Sequence, residues 1–137
     1  MYDYASTVRQ YSRERKEPVF IEIDPSQPQP IFEQVAMQIK FAIAAGTVRD
    51  NEMIPSVRDL AKQLAINPNT VVRAYRVLQE EQILILRRGV GLVVVEDCQA
   101  ECQRQRKEFF KQRFNAFLED ADRSRLSREE LNEIIQR

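Results

Sequence analysis

The sequence contains no histidine. A histidine general base, a histidine–aspartate relay and an imidazole metal site are thereby excluded, and most hydrolytic mechanisms go with them. Cysteine is nearly as scarce, with Cys98 and Cys102 alone, four positions apart in a charged stretch. Two thiols are too few for a disulfide scaffold and two ligands short of a zinc site, so they read as reduced thiols on one helical face. No phosphate-cradling glycine loop and no paired acids in a predicted cleft are present, and neither an enzyme nor a cofactor or metal site is expected. Apolar runs are short: none approaches the roughly 18–20 residues that span a bilayer. The first residues, Met1-Tyr2-Asp3-Tyr4, lack the apolar core of a signal peptide, which leads us to expect a cytoplasmic protein with no membrane partner. Charge of one sign is also missing, because Lys+Arg 21 cancels Asp+Glu 21. A nucleic-acid partner would have to be met by a local basic patch rather than by the field of the whole chain.

What remains is 137 residues, 43% of them hydrophobic, enough for one ordinary domain or a small domain with an appendage. Residues 1–18 are polar and without apolar periodicity, and they read as a flexible arm. Val19-Phe20-Ile21-Glu22-Ile23 is a short strand candidate, and the three prolines of Asp24-Pro25-Ser26-Gln27-Pro28-Gln29-Pro30 predict an extended linker that ends at a helix start. From Ile31 to Ala45, apolar residues at Ile31, Phe32, Val35, Ile39, Ala42 and Ile43 mark an amphipathic helix closed by Gly46. Met37 and Phe41 lie off that face and would be exposed unless a second surface covers them. Ser56 is placed to cap a second helix of about nine residues with Val57, Leu60, Ala61 and Leu64 as its buried stripe. After a very short turn, Asn67-Pro68 starts a third helix running to about Gln82. The period then changes to that of a β-hairpin, Ile83–Leu86 and Leu92–Val95, turning at Arg87-Arg88-Gly89-Val90-Gly91. From about Gln99 the chain is helical in composition, and after a break near Asp122 the run Ser127-Arg128-Glu129-Glu130 fits a capping box opening a last helix. This gives three regions: an arm, strand and linker over 1–29, a reading domain over 30–96, and a helical tail over 97–137.

Helix, short helix, tight turn, longer helix and hairpin is the order of a winged helix-turn-helix. The fold class expected is therefore mainly α with a small β-hairpin, a winged helix-turn-helix followed by a C-terminal helical hairpin. At about 100° per residue, Val71, Ala74, Tyr75 and Leu78 share one arc of the third helix, while Asn69, Val72, Arg73 and Arg76 cluster opposite. Asparagine pairs bidentately with adenine and arginine with guanine in the major groove, and amides at a helix start suit a phosphate. At the hairpin tip, Arg87 and Arg88 stand beside Gly89, an arrangement suited to a phosphate or minor-groove contact. The acids Glu80 and Glu81 lie at the far end of the third helix. Double-stranded DNA is the partner this pattern implies.

Pro30-Ile31-Phe32-Glu33-Gln34, Gln38-Ile39-Lys40, Gly46, Pro55-Ser56-Val57-Arg58-Asp59-Leu60-Ala61, Asn67-Pro68-Asn69-Thr70-Val71-Val72-Arg73-Ala74-Tyr75 and Arg87-Arg88-Gly89-Val90-Gly91 resemble the GntR family of bacterial transcription regulators. The Asn-Pro-Asn-Thr-Val run and the short tail resemble its YtrA-like subfamily in particular. The resemblance is dense over residues 30–95; beyond 96 it rests on length and helical character. It implies a dimeric winged-helix repressor, with DNA contacts from Ser56 and Arg58 at the second helix, Asn67, Asn69, Thr70 and Arg73 at the third, and Arg87, Arg88 and Gly89 in the wing. Three positions depart from the family pattern. Asn51 and Gln82 stand where glycine is usual, and Val90 stands where a polar residue is usual between the wing glycines. Asparagine tolerates the left-handed geometry that glycine serves; glutamine fits it less readily.

A single recognition helix reads only a few base pairs, and helix-turn-helix proteins commonly double the contact through a two-fold dimer. The tail offers a surface for this in Phe110, Phe114, Phe117 and Leu118, with Leu131, Ile134 and Ile135 on the last helix. Those rings present more apolar area than a lone helical hairpin can bury, so a homodimer is expected, with Met37 and Phe41 as further candidates to meet the tail. The effector domains of larger GntR relatives do not fit into residues 96–137, and the sequence leaves open whether a small-molecule effector binds. The function expected is a sequence-specific repressor at a palindromic operator. The alternative is a protein-interaction module whose tail binds a heterologous partner and whose winged helix is architectural. By segment, residues 1–30 carry 4 basic and 5 acidic residues, 31–95 carry 8 and 6, and 96–137 carry 9 and 10. The neutral total is thus an average over a modestly basic reader and two slightly acidic flanks.

Overall fold

The computed structural model describes residues 21–136. Its elements are helices α1 (Ile31–Ala44), α2 (Val57–Leu64) and α3 (Pro68–Glu80), strands β1 (Leu84–Arg87) and β2 (Gly91–Val94), and helices α4 (Gln99–Arg123) and α5 (Arg128–Ile135). The chain divides into two compact units, one ending at Arg104 and one beginning at Gln105.

The first unit is built on three helices whose apolar stripes converge. Val35, Ile39 and Ile43 of α1, Leu60 and Ala61 of α2, and Val71, Ala74, Tyr75 and Leu78 of α3 are all buried, as periodicity predicts. Met37 and Phe41, off that stripe, are half-buried. Ser56 accepts a hydrogen bond from the Asp59 amide at 3.1 Å and Asn67 from the Asn69 amide at 2.9 Å, so both interhelical boundaries are fixed by local capping. The α3 helix stops two residues before the expected Gln82, because Gln82 itself turns left-handed, with φ 60°. The amides of Gln82 and Ile83 bond the carbonyls of Gln79 and Leu78, a Schellman closure. The same pair of bonds closes α1, α2 and α4, with Gly46, Ala65 and Arg125 in the left-handed position.

The hairpin pairs Leu84 with Val94, Ile85 with Val93, Leu86 with Leu92 and Arg87 with Gly91. A segment with no strand signature runs along its other edge: the amides of Asn51 and Ile54 donate to the carbonyls of Val94 and Leu92, the Val94 amide donates to Glu52, and Met53 bridges Val93.

Two expectations for the N-terminal side are corrected. The described part of the strand candidate, Ile21 to Ile23, is not a strand; Val19, Phe20 and the arm lie outside the described residues. Ile21 and Ile23 pack against the core, but the backbone between them pairs with side chains. Gln38 accepts from the Glu22 amide at 2.8 Å and donates back to its carbonyl, and one helical turn earlier Gln34 does the same for Asp24 at 3.0 and 2.9 Å. The proline-rich linker is not extended either. The Asp24 carboxylate accepts from the amide and hydroxyl of Ser26 and folds the segment into an Asx turn, which also holds its own pKa below the usual carboxylate range.

The start of α4 belongs to the same core. Cys98 and Cys102 are free thiols and are buried, and the side-chain amides of Gln99 and Gln103 donate to the Ala44 carbonyl at the end of α1, at 3.3 and 3.2 Å. A part-buried ion pair, Lys40 to Glu81 at 2.7 Å, ties α1 to the end of α3.

The second unit holds the rest of α4, and α5. Ser127 and Glu130 form the expected reciprocal capping box. Among the described residues from Gln105 onward none is buried. Phe109 and Phe110 meet edge to face, with centroids 5.2 Å apart, and Phe114 and Phe117 stack at 6.4 Å. Even so, Phe110 and Phe114 remain 51% and 48% exposed, with Ile134 and Ile135 likewise exposed.

Candidate nucleic-acid interface

The buried stripe of α3 determines what its other side presents. With Val71, Ala74, Tyr75 and Leu78 in the core, Asn69, Val72, Arg73 and Arg76 all face solvent, and Thr70 is half-buried at the margin. The helix cannot rotate to hide that face. Tyr75 anchors it by donating its hydroxyl to the Pro55 carbonyl at 2.8 Å, just before α2, and burial raises the phenol well above its ordinary pKa.

Arg73 is held in a specific way that sequence spacing does not reveal. Its guanidinium lies 3.9 Å from the centroid of the Phe32 ring on α1. A planar cation over an aromatic face is attracted by the ring quadrupole, and stacking leaves the guanidinium edge, with its donor fork, free for hydrogen bonds.

The start of α3 differs from the expectation of phosphate-ready amides. Pro68 has no N–H, Asn67 takes the Asn69 amide, and the Thr70 amide bonds the Asn67 carbonyl at 2.9 Å. What is offered outward is therefore side-chain chemistry. Asn67 and Ser56 use their oxygens as caps, which leaves the Asn67 NH₂ and the Ser56 hydroxyl proton as donors, the polarity a phosphate oxygen accepts. Arg58 is exposed one position inside α2.

The wing tip carries Arg88 and Gly89, both exposed. Gly89 has φ 78° and open space where a Cβ would stand, so backbone geometry, not crowding, favours glycine there. Arg87 donates to the Asn51 side-chain oxygen at 2.7 Å, and the Asn51 amide nitrogen donates to Glu96 at 2.9 Å. Neither Phe32 nor Asn51 is recognisable from residue spacing as a partner of these arginines. A signal existed only for Asn51, a side chain where glycine is usual.

Among the described residues no group of three metal-ligating side chains comes together, and no helix is long and apolar enough to cross a membrane.

Comparison with known proteins gives a consistent result. Residues 31–94 match the family model described as bacterial regulatory proteins, gntR family. The HTH-type transcriptional repressor YtrA of Bacillus subtilis is 33% identical over 115 residues, covering 84% of this chain and 88% of that one. Among solved structures, a GntR family transcriptional regulator from Listeria monocytogenes superposes with a TM-score of 0.66 at 30% identity, covering 83% of this chain and 97% of that one. YtrA from Sulfolobus acidocaldarius, a GntR-family transcription factor, does so with a TM-score of 0.54 at 31% identity over 70% of this chain and 97% of its own.

Proposed function

Because the chain belongs to the GntR family, whose members are DNA-binding transcriptional regulators and not enzymes, we propose that it represses transcription by occupying a palindromic operator as a homodimer. The observation that carries this reading is the exposed Asn69, Arg73 and Arg76 face of α3, which lies opposite a fully buried stripe. In the major groove, Asn69 and the two arginines read base edges, while Ser56, Arg58, Asn67 and Thr70 bind the flanking phosphates. Arg87, Arg88 and Gly89 carry the wing onto the backbone beside the recognition helix.

The dimer is supported by the second unit. Phe110, Phe114 and Phe117, with Leu118, Leu131, Ile134 and Ile135, are apolar side chains in a stretch, from Gln105 onward, where no described residue is buried. A second copy covers this surface at the least cost in new design, since a two-fold axis makes one patch its own complement. The alternative, an interaction module with an architectural winged helix, is not favoured by the family to which the chain belongs.

Selection of bound sequences from a random duplex pool tests the reading. The expected product is an inverted repeat with half-sites about one helical turn apart. An enriched sequence without two-fold symmetry, or no enrichment, overturns it. Sedimentation at micromolar concentration supplies the second arm, with Phe114→Asp expected to convert a dimer to a monomer.

A further inference from the structure

Arg87 occupies an awkward place for a residue that must hold a fixed pose. It ends β1, its register partner across the hairpin is Gly91, and so no side chain opposite can pack against its stem. A long, solvated arginine in that position loses much rotamer freedom on binding, which weakens whatever contact it makes.

Asn51 supplies what Gly91 does not. The edge segment that carries it is pinned to β2 through the Asn51 amide and the Val94 carbonyl at 2.8 Å. Its side chain then accepts from Arg87 Nη2 and donates to Glu96 Oε1. Arginine only donates and a carboxylate only accepts, so the two neighbours fix which way the amide points, and the amide bridges two opposite charges. Asn51 achieves this at φ 63°, a backbone conformation that glycine adopts with less strain. Stability alone would favour glycine at 51. Glycine would also remove the acceptor that holds Arg87 Nη2.

We propose that Asn51 is a positioning residue of this wing: it holds the Arg87 guanidinium forward for a DNA phosphate. The inference rests on the reading of Arg87 as a DNA contact. Its test is a double-mutant cycle on the full chain, with binding to a labelled random-sequence duplex titrated at several salt concentrations, and unfolding midpoints measured alongside. Arg87→Ala is expected to weaken binding and to lower the salt slope by about 1. Asn51→Gly is expected to weaken binding roughly 3-fold or more while its unfolding midpoint stays level or rises. Adding Asn51→Gly to Arg87→Ala should change nothing further. If Arg87→Ala weakens binding and Asn51→Gly does not, the positioning role is wrong and the wing contact stands. If Asn51→Gly weakens binding equally in both backgrounds, Asn51 does not act through Arg87 and the proposal fails. If Arg87→Ala binds as the parent does, the wing contact itself is wrong.

Discussion

The guanidinium of Arg73 and the ring of Phe32 lie 3.9 Å apart, joining the recognition helix to the first helix of the domain. Under the proposed reading, an arginine braced in this way meets a base edge with part of its ordering cost already met. Arg73→Ala should therefore reduce affinity for the selected operator by about 1–3 kcal/mol and affinity for random duplex far less. Phe32→Leu keeps an apolar side chain but removes the ring face. It should cost operator binding about 0.5–1 kcal/mol, an effect absent when Arg73 is already alanine. Competition titrations with the two duplexes provide the check, and an equal loss on both from Arg73→Ala would argue against base reading.

Gln82 closes α3 with φ 60°, a conformation that strains any residue with a Cβ. Gln82→Gly should stabilise the protein by about 1 kcal/mol, visible as a higher urea midpoint at unchanged slope. DNA affinity should not change, since Gln82 lies past the end of α3, away from the exposed Asn69, Arg73 and Arg76.

Tyr75→Phe removes one oxygen from the buried face of α3 and leaves the Pro55 carbonyl without its 2.8 Å donor. The expected loss is about 1–2 kcal/mol in chemical denaturation. Because this bond sets the recognition helix against the start of α2, operator affinity should fall by more than random-duplex affinity.

The buried thiols give a pH signature. Burial pushes Cys102 up to about 12 and raises Cys98 as well. A folded pKa above the unfolded value, about 8.5 for a free thiol, gives stability that is complete below that value and is lost as pH rises toward the folded one. Unfolding midpoints should thus fall through alkaline pH, less steeply in Cys102→Ala. At neutral pH the native protein should resist thiol-specific disulfide reagents, and the 2 cysteines should react only after denaturation.

Much of the reading domain was legible because its determinants are local. Ser56 and Asn67 cap the helices they precede, as Ser127 does in the tail, and the stripes Val35–Ile39–Ile43 and Val71–Ala74–Tyr75–Leu78 are set by spacing alone. The exposed face of α3 follows from the same spacing. Illegible were pairings across long stretches of chain that use unremarkable residues. Glu52-Met53-Ile54 has no strand signature and pairs with β2 some forty positions away, Lys40 meets Glu81 at a separation of 41, and Arg73 finds Phe32 at a similar distance. The N-terminal segment misled for a different reason. Its alternating isoleucines do signal burial, but a strand needs a backbone partner, and here glutamine side chains take that role.

That substitution has its own consequence. A glutamine side chain ends in the same amide as the main chain, so Gln34 and Gln38 act as two rungs of a ladder that has only one rail of backbone. Both rungs are anchored on α1, so paired hydrogen bonds tie Glu22 and Asp24 to that helix. In hydrogen exchange their amides should behave as members of the α1 cooperative unit, protected far beyond what a segment without secondary structure would otherwise show.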